Sequence, residues 1–285
     1  MPSPVSPPVA AAEYARFFRA DDVAPLECQS ARFVGHVFAP HFHEEYVVNT
    51  LIDGVQRYRY QGDVHSAGRG ALVLVNPDTV HTGEAGTDHG WAYHGFLPTA
   101  SFMRRLAADL SGQTSAEPFF TTTAVFDPDL AGRLVRLYEV LRHSHDRLLR
   151  ESLLTAVFGD LMTRHMQVRA VEPAPCRDGV ARARTLLADR LADNLTLAEL
   201  AKEAGMSPYH FNRSFHKAYG LPPIAWRLQL RIARARGLLA RGVTPAEAAL
   251  SAGFADQSHL TRAFRRSLGV TPAAYRKTLA ATRRG

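Results

Sequence analysis

Between Arg32 and Pro98, apolar and polar residues alternate with a period near two in short runs. The runs at 33–38, 46–52, 55–60, 71–75 and 91–96 predict strands, because successive strand side chains point to opposite faces. Asp53-Gly54 has the chemistry of a tight hairpin turn between the second and third runs. Gly68, Gly70, Pro77-Asp78 and Gly83 punctuate the rest. Many short strands with no helix among them predict a small barrel or jelly roll around a pocket. The period then changes. Leu130, Leu134, Leu137 and Leu141 form one helical stripe, and Leu149, Leu153, Leu154, Val157 and Leu161 a second, which predicts two helices between Asp127 and Gln167. Such a hairpin packs against the barrel or forms a dimer interface. Beyond it the apolar spacing stays helical. The expected class is α+β overall: a tail over 1–20, a barrel over 21–120, a helical hairpin over 121–170, a linker over 171–178 and an all-α domain over 179–285.

The all-α part contains a repeat. Ala201 and Gly205 match Ala249 and Gly253, and Phe211, Arg213 and Phe215 match Leu260, Arg262 and Phe264. Gly220, Pro223, Trp226 and Arg227 match Gly269, Pro272, Tyr275 and Arg276. Each copy reads as helix, tight turn, helix. Thr196 with Glu199 has the form of a capping box, Gly205 suits a left-handed helix end, and Ser207-Pro208 starts the next helix. In the second copy Thr244-Pro245, Gly253 and Asp256 take those places. Between the copies, 222–241 reads as one long helix of about 30 Å at about 1.5 Å per residue. That length is near the roughly 34 Å between successive major-groove faces of DNA.

The second helix of each copy carries the chemistry. Phe211, Phe215 and Ala218 are expected to face inward, with Tyr209, Asn212, Arg213 and His216 as a stripe on the opposite side. In the second copy Leu260 and Phe264 face in, and Ser258, Thr261, Arg262 and Arg265 face out with Gln257 beside them. Arg, Asn and Gln pair bidentately with purine edges, and Thr touches a thymine methyl. Arg227, Arg231, Arg234, Arg236 and Arg241 on the long helix are candidates for phosphate contacts.

Charge agrees with this division. Residues 177–285 carry 19 Lys and Arg against 7 Asp and Glu, whereas residues 1–176 carry 15 against 20. A basic half joined to an acidic half predicts that only one of them meets a polyanion. Two cysteines, Cys28 and Cys176, give neither a disulfide scaffold nor a cysteine zinc site and fit a reducing compartment. The first residues lack the pattern of a signal peptide, and no apolar run approaches the ~18 residues of a membrane helix. A cytoplasmic location is therefore expected.

The segment from about Gly179 to Arg276 resembles the DNA-binding domain of the AraC/XylS family of bacterial transcription regulators. The stretch from Ala252 to Arg276, with Asp256-Gln257-Ser258-His259-Leu260-Thr261-Arg262, carries that resemblance most specifically. It implies seven helices, promoter regulation often as an activator, contact with RNA polymerase, a helical dimer interface giving a homodimer, and base contacts from Tyr209, Asn212, Arg213, Gln257, Ser258, Thr261 and Arg262.

The N-terminal half is rich in histidine. Pro40-His41-Phe42-His43-Glu44-Glu45-Tyr46 is followed by Asn76-Pro77-Asp78-Thr79-Val80-His81. His41, His43, Glu45 and His81 have the residue types of an imidazole–carboxylate metal site. The pattern resembles the cupin barrel and the cupin-like sensor half of many AraC-type regulators. The enzyme-like cupin pattern is only partly met: the step from Gly70 to Pro77 is one residue longer, and no glycine precedes His81 in the expected place. The expectation is therefore a sensor that binds a small-molecule effector through His41, His43, Glu45, Tyr58 and His81, without metal, cofactor or catalysis. The alternative is a cupin-type metalloenzyme with a DNA-binding appendage.

Overall fold

The computed structural model describes residues 12–112, 117–171, 177–268 and 270–282. They fall into two compact units: 12–145 with 153–171, and 146–152 with 177–282.

The first unit is built on nine strands. They are β1 (Tyr14–Arg19), β2 (Leu26–Phe33), β3 (Phe38–His41), β4 (Val47–Tyr60), β5 (Asp63–Gly68), β6 (Ala71–Val75), β7 (His81–Ala85), β8 (Trp91–Pro98) and β9 (Ala124–Phe126). The order β1-β2-β8-β4-β6-β9 makes one layer, and β5 and β7 pair with β4, with β3 on β7, to make the other. The 14-residue β4 belongs to both. Its first half pairs with β6 and β8, and its second half with β5 and β7.

Asp53-Gly54 is therefore not a hairpin turn. The register with β8 shifts between Leu51 and Asp53, and Gly54 has φ +67°, so the strand bends from one layer into the other without reversing. Glycine is required twice over. The positive φ disfavours a side chain, and a Cβ would collide with the Gly90 carbonyl. The run at 33–38 also differs: strand ends at Phe33 and resumes at Phe38. Sequence patterning missed β1 because its alternation is shallow; all six residues are exposed or half-buried. Residues 14–19 thus pair with β2 rather than forming tail, while 1–11 lie outside the described residues. A helix, α1 (Ala100–Ser111), closes the region expected to be all strand.

Two helices follow, α2 (Pro128–His143) and α3 (Arg147–His165). Leu130, Leu134, Leu137 and Leu141 are all buried, as the stripe demands.

The second unit holds α4 (Arg177–Asp189), α5 (Leu197–Ala204), α6 (Pro208–Tyr219), α7 (Pro223–Ala240), α8 (Pro245–Ser251), α9 (Gln257–Leu268) and α10 (Pro272–Thr282). Both capping boxes form: Thr196 with Glu199, and Thr244 with Glu247. Two cores result. Phe211 and Phe215 join Leu197, Leu200, Ala201 and Ala204 in one, and Leu260 and Phe264 join Ala248, Ala249 and Ala252 in the other. Helix α7 serves both, with Ile224 and Trp226 against the first and Ile232, Ala235 and Leu239 in the second. At 18 residues it spans about 27 Å. Residue 269, the counterpart of Gly220, lies outside the described residues, as do 172–176 of the expected linker.

Candidate nucleic-acid interface and histidine cluster

The two helix-turn-helix copies present their second helices differently. On α9, Gln257, Ser258, Arg262 and Arg265 are exposed and Thr261 is half-buried. Asp256 caps this helix through the His259 amide (2.6 Å), which fixes where the polar face begins. The Thr261 hydroxyl donates back to the Gln257 carbonyl (2.8 Å), leaving its methyl to project.

On α6, Arg213 and His216 are exposed, but Tyr209 and Asn212 are buried. The outer stripe expected there is thus only half open. The Asn212 amide donates to the Ser152 carbonyl (3.4 Å), because the first turns of α3 up to Ser152 belong to this unit. Arg213 donates to the Tyr209 hydroxyl (3.3 Å) and stacks its guanidinium 5.7 Å from that ring. Tyr209 thereby orients the arginine. Ala218, expected inside with Phe211 and Phe215, is exposed.

The arginines of α7 divide into two groups. Arg234, Arg236 and Arg241 are exposed. Arg227 and Arg231 are not: they keep 1% and 7% of their surface. Arg227 is paired with Asp146. Arg231 donates to the Leu191 carbonyl (2.9 Å) and lies 3.7 Å from Asp146. Burial, and then the neighbouring Arg227, push Arg231 down to about 10. These two hold the helical unit together and are unavailable to phosphates. The sequence shows the period of a helix but not that Asp146 lies over it.

In the first unit, cross-strand register sets His41 of β3 opposite His81 of β7. Their ring centroids are 4.4 Å apart, and the His43 ring lies 5.1 Å from His41 and 5.3 Å from His81. One nitrogen from each ring falls within 4.8 Å of the others. Burial pulls the pKa of His81 down to about 4, and burial then neighbouring His41 lower that of His43, so both rings are neutral at pH 7. Glu45 is half-buried and outside this three-histidine group. Tyr58 sits elsewhere, in the barrel core with Trp91 and Tyr93, its hydroxyl 3.2 Å from that of Thr123. Sequence reading missed Tyr60, which pairs across the sheet with His81 and whose hydroxyl accepts from Asn76. Its signal was present in Tyr58-Arg59-Tyr60, where two tyrosines share one strand face.

Residues 200–278 match the model of a helix-turn-helix domain, and residues 23–158 that of the AraC-like ligand binding domain. The HTH-type transcriptional regulator YbfI of Bacillus subtilis is 30% identical over 82% of this chain and 86% of its own length.

This chain belongs to the AraC/XylS family of transcription regulators.

As an AraC-type regulator it pairs a DNA-binding helix-turn-helix domain with an N-terminal ligand-binding domain. The arabinose operon regulatory protein of Escherichia coli is 26% identical over 81% of the chain and 80% of its own length. Among solved structures, the DNA-binding domain of AdpA in complex with a target DNA is 32% identical, covering 37% of this chain and 96% of that one, with a TM-score of 0.36. No described helix is long and apolar enough to cross a membrane.

Proposed function

We propose that this AraC-type regulator reads double-stranded promoter DNA with α6 and α9 and that a small effector bound in the barrel modulates that binding. The observation that carries the reading is α9: a capped helix in a basic, duplicated unit that exposes Gln257, Ser258 and Arg262 along one side. Those side chains, with Thr261 and with Arg213 of α6, are the proposed base contacts. Tyr209 and Asn212, being buried, support α6 rather than touch bases. Arg234, Arg236 and Arg241 are the proposed phosphate contacts.

Effector binding is supported by the barrel interior. The Trp91 indole N–H is buried and has no acceptor among the described residues, so an acceptor on a ligand or a water satisfies it. His41, His43 and His81 offer a second polar patch, with Glu45 beside it. The chain acts in the cytoplasm, as an activator that contacts RNA polymerase and as a homodimer through α2 and α3, and it catalyses no reaction. Those finer points rest on the family. Selection of bound genomic fragments, with and without candidate metabolites, tests the reading: enrichment of one motif supports it, and enrichment of none overturns it.

A further inference from the structure

The three histidines differ from a patch of polar side chains in how each is held. The Nδ1 of His41 lies 2.8 Å from the Ala39 carbonyl, and the Nδ1 of His81 lies 3.0 Å from the Thr79 carbonyl. A carbonyl only accepts, so each Nδ1 carries a proton, and in the neutral ring it is Nε2 that keeps the lone pair a metal needs. That is the arrangement in which a backbone acceptor fixes the tautomer and orientation of a metal-ligating imidazole. The third ring is anchored through its backbone, where the Asp78 amide donates to the His43 carbonyl (2.8 Å). The loop before β7 and the chain after β3 are thereby tied together, and β3 and β7 bring His41 and His81 face to face. His41 and His43 remain half-exposed, which leaves a path for entry.

We infer that Nε2 of His41 and His81, with one ring nitrogen of His43, binds one divalent transition-metal ion of the zinc class and leaves a coordination position open towards solvent. Imidazole sets of this kind suit zinc, copper, nickel and iron. Tetrahedral nitrogens about 2.0–2.1 Å from zinc sit about 3.3 Å apart, so ligand atoms spaced up to 4.8 Å close by small side-chain rotations. Three neutral ligands leave the ion its full positive charge. The open position then takes water or an oxygen of an anionic effector. Glu45 lies outside the group and is not a ligand. This inference rests on the sensor reading of the barrel and gives it a chemistry.

The test uses the purified full-length chain, stripped with a chelator and titrated with Zn²⁺, and in parallel with Co²⁺ to read the visible absorption of a tetrahedral site. One equivalent is expected, with His43→Ala and His41→Gln each weakening it by more than about a hundredfold, beyond the roughly 10–100-fold cost of losing a supporting partner. Glu45→Gln is expected to bind normally. Far-ultraviolet circular dichroism confirms that each variant is folded. Sub-stoichiometric binding, or equal binding by the folded histidine variants, overturns the site. Loss of affinity in Glu45→Gln equal to that in His43→Ala overturns the ligand assignment. Affinity for a selected DNA fragment, measured in the same samples, reports on sensing separately. Binding of the ion with unchanged DNA affinity upholds the site and tells against the ion as effector. An intact DNA response to metabolites without metal binding overturns the site and upholds the sensor reading.

Discussion

Arg227, on the helix between the two helix-turn-helix copies, is 1% exposed and paired with Asp146, the residue that also caps α3 through the Leu149 amide. Removing Arg227 leaves Asp146 to Arg231, 3.7 Å away, and empties a fully buried side-chain site; breaking a buried pair typically costs about 3–5 kcal/mol. Arg227→Ala is therefore expected to lower the denaturant midpoint sharply. An unfolding free energy of Arg227→Ala within about 0.5 kcal/mol of the parent's contradicts the structural role.

Arg234 lies two turns along the same helix and is exposed. Arg234→Ala is expected to leave stability within about 0.5 kcal/mol. It is expected to weaken DNA binding evenly across sequences and to reduce the slope of log affinity against log salt by about 1. Titrations at several salt concentrations check this; an unchanged slope removes Arg234 from the phosphate contacts.

These two arginines show where the sequence was legible. Helical period, caps and duplication are local, and they located the cores around Phe215 and Phe264 and both helix-turn-helix units. What covers a helix is not local. Asn212, Arg227 and Arg231 read as an exposed polar surface because nothing near them in sequence announces residues 146–152. In the barrel, Asp53-Gly54 has the composition of a turn, but pairing with β5, β6, β7 and β8 keeps β4 running through it. The approach of Gly90, 36 positions away, decides that outcome. His41 and His43 were legible as two histidines separated by one residue, but not as strand neighbours: β3 ends at His41, and the Asp78 amide on the His43 carbonyl ties the chain after β3 to the loop before β7. Tyr58 pairs with His65 of β5, and it is Tyr60, two residues on, that pairs with His81.

Gly54→Ala tests the strand crossing. The new methyl meets the Gly90 carbonyl and the backbone must leave its positive φ, so a loss of at least about 3 kcal/mol is expected. Thermal unfolding of the N-terminal unit measures it. An unchanged transition means that β4 does not cross here.

His94 gives the barrel a pH dependence. Its ring stacks on Tyr138 of α2 with centroids 3.9 Å apart, and burial holds its pKa below the usual 6.5. The unfolded chain therefore binds more protons than the folded one between the folded pKa and about 6.5. Stability is complete above that window and falls as pH drops through it. His43 and His81 act in the same direction, so the informative quantity is the difference between the parent and His94→Phe, which keeps the stack and cannot titrate. Denaturant midpoints at pH 7.5 and 5.5 are expected to differ less in the variant. Equal differences contradict the assignment.

The central claim is that α9 and α6 read base edges, and Arg262 and Arg213 test it most directly. Binding of Arg262→Ala and Arg213→Ala is compared with the parent at fixed salt, on a selected fragment and on every single-base variant of it. Each substitution is expected to cost about 1–3 kcal/mol and to flatten the preference at one base position while leaving the others intact. If both variants keep the parent's affinity and its full pattern of preference, the recognition helices have been assigned to the wrong face.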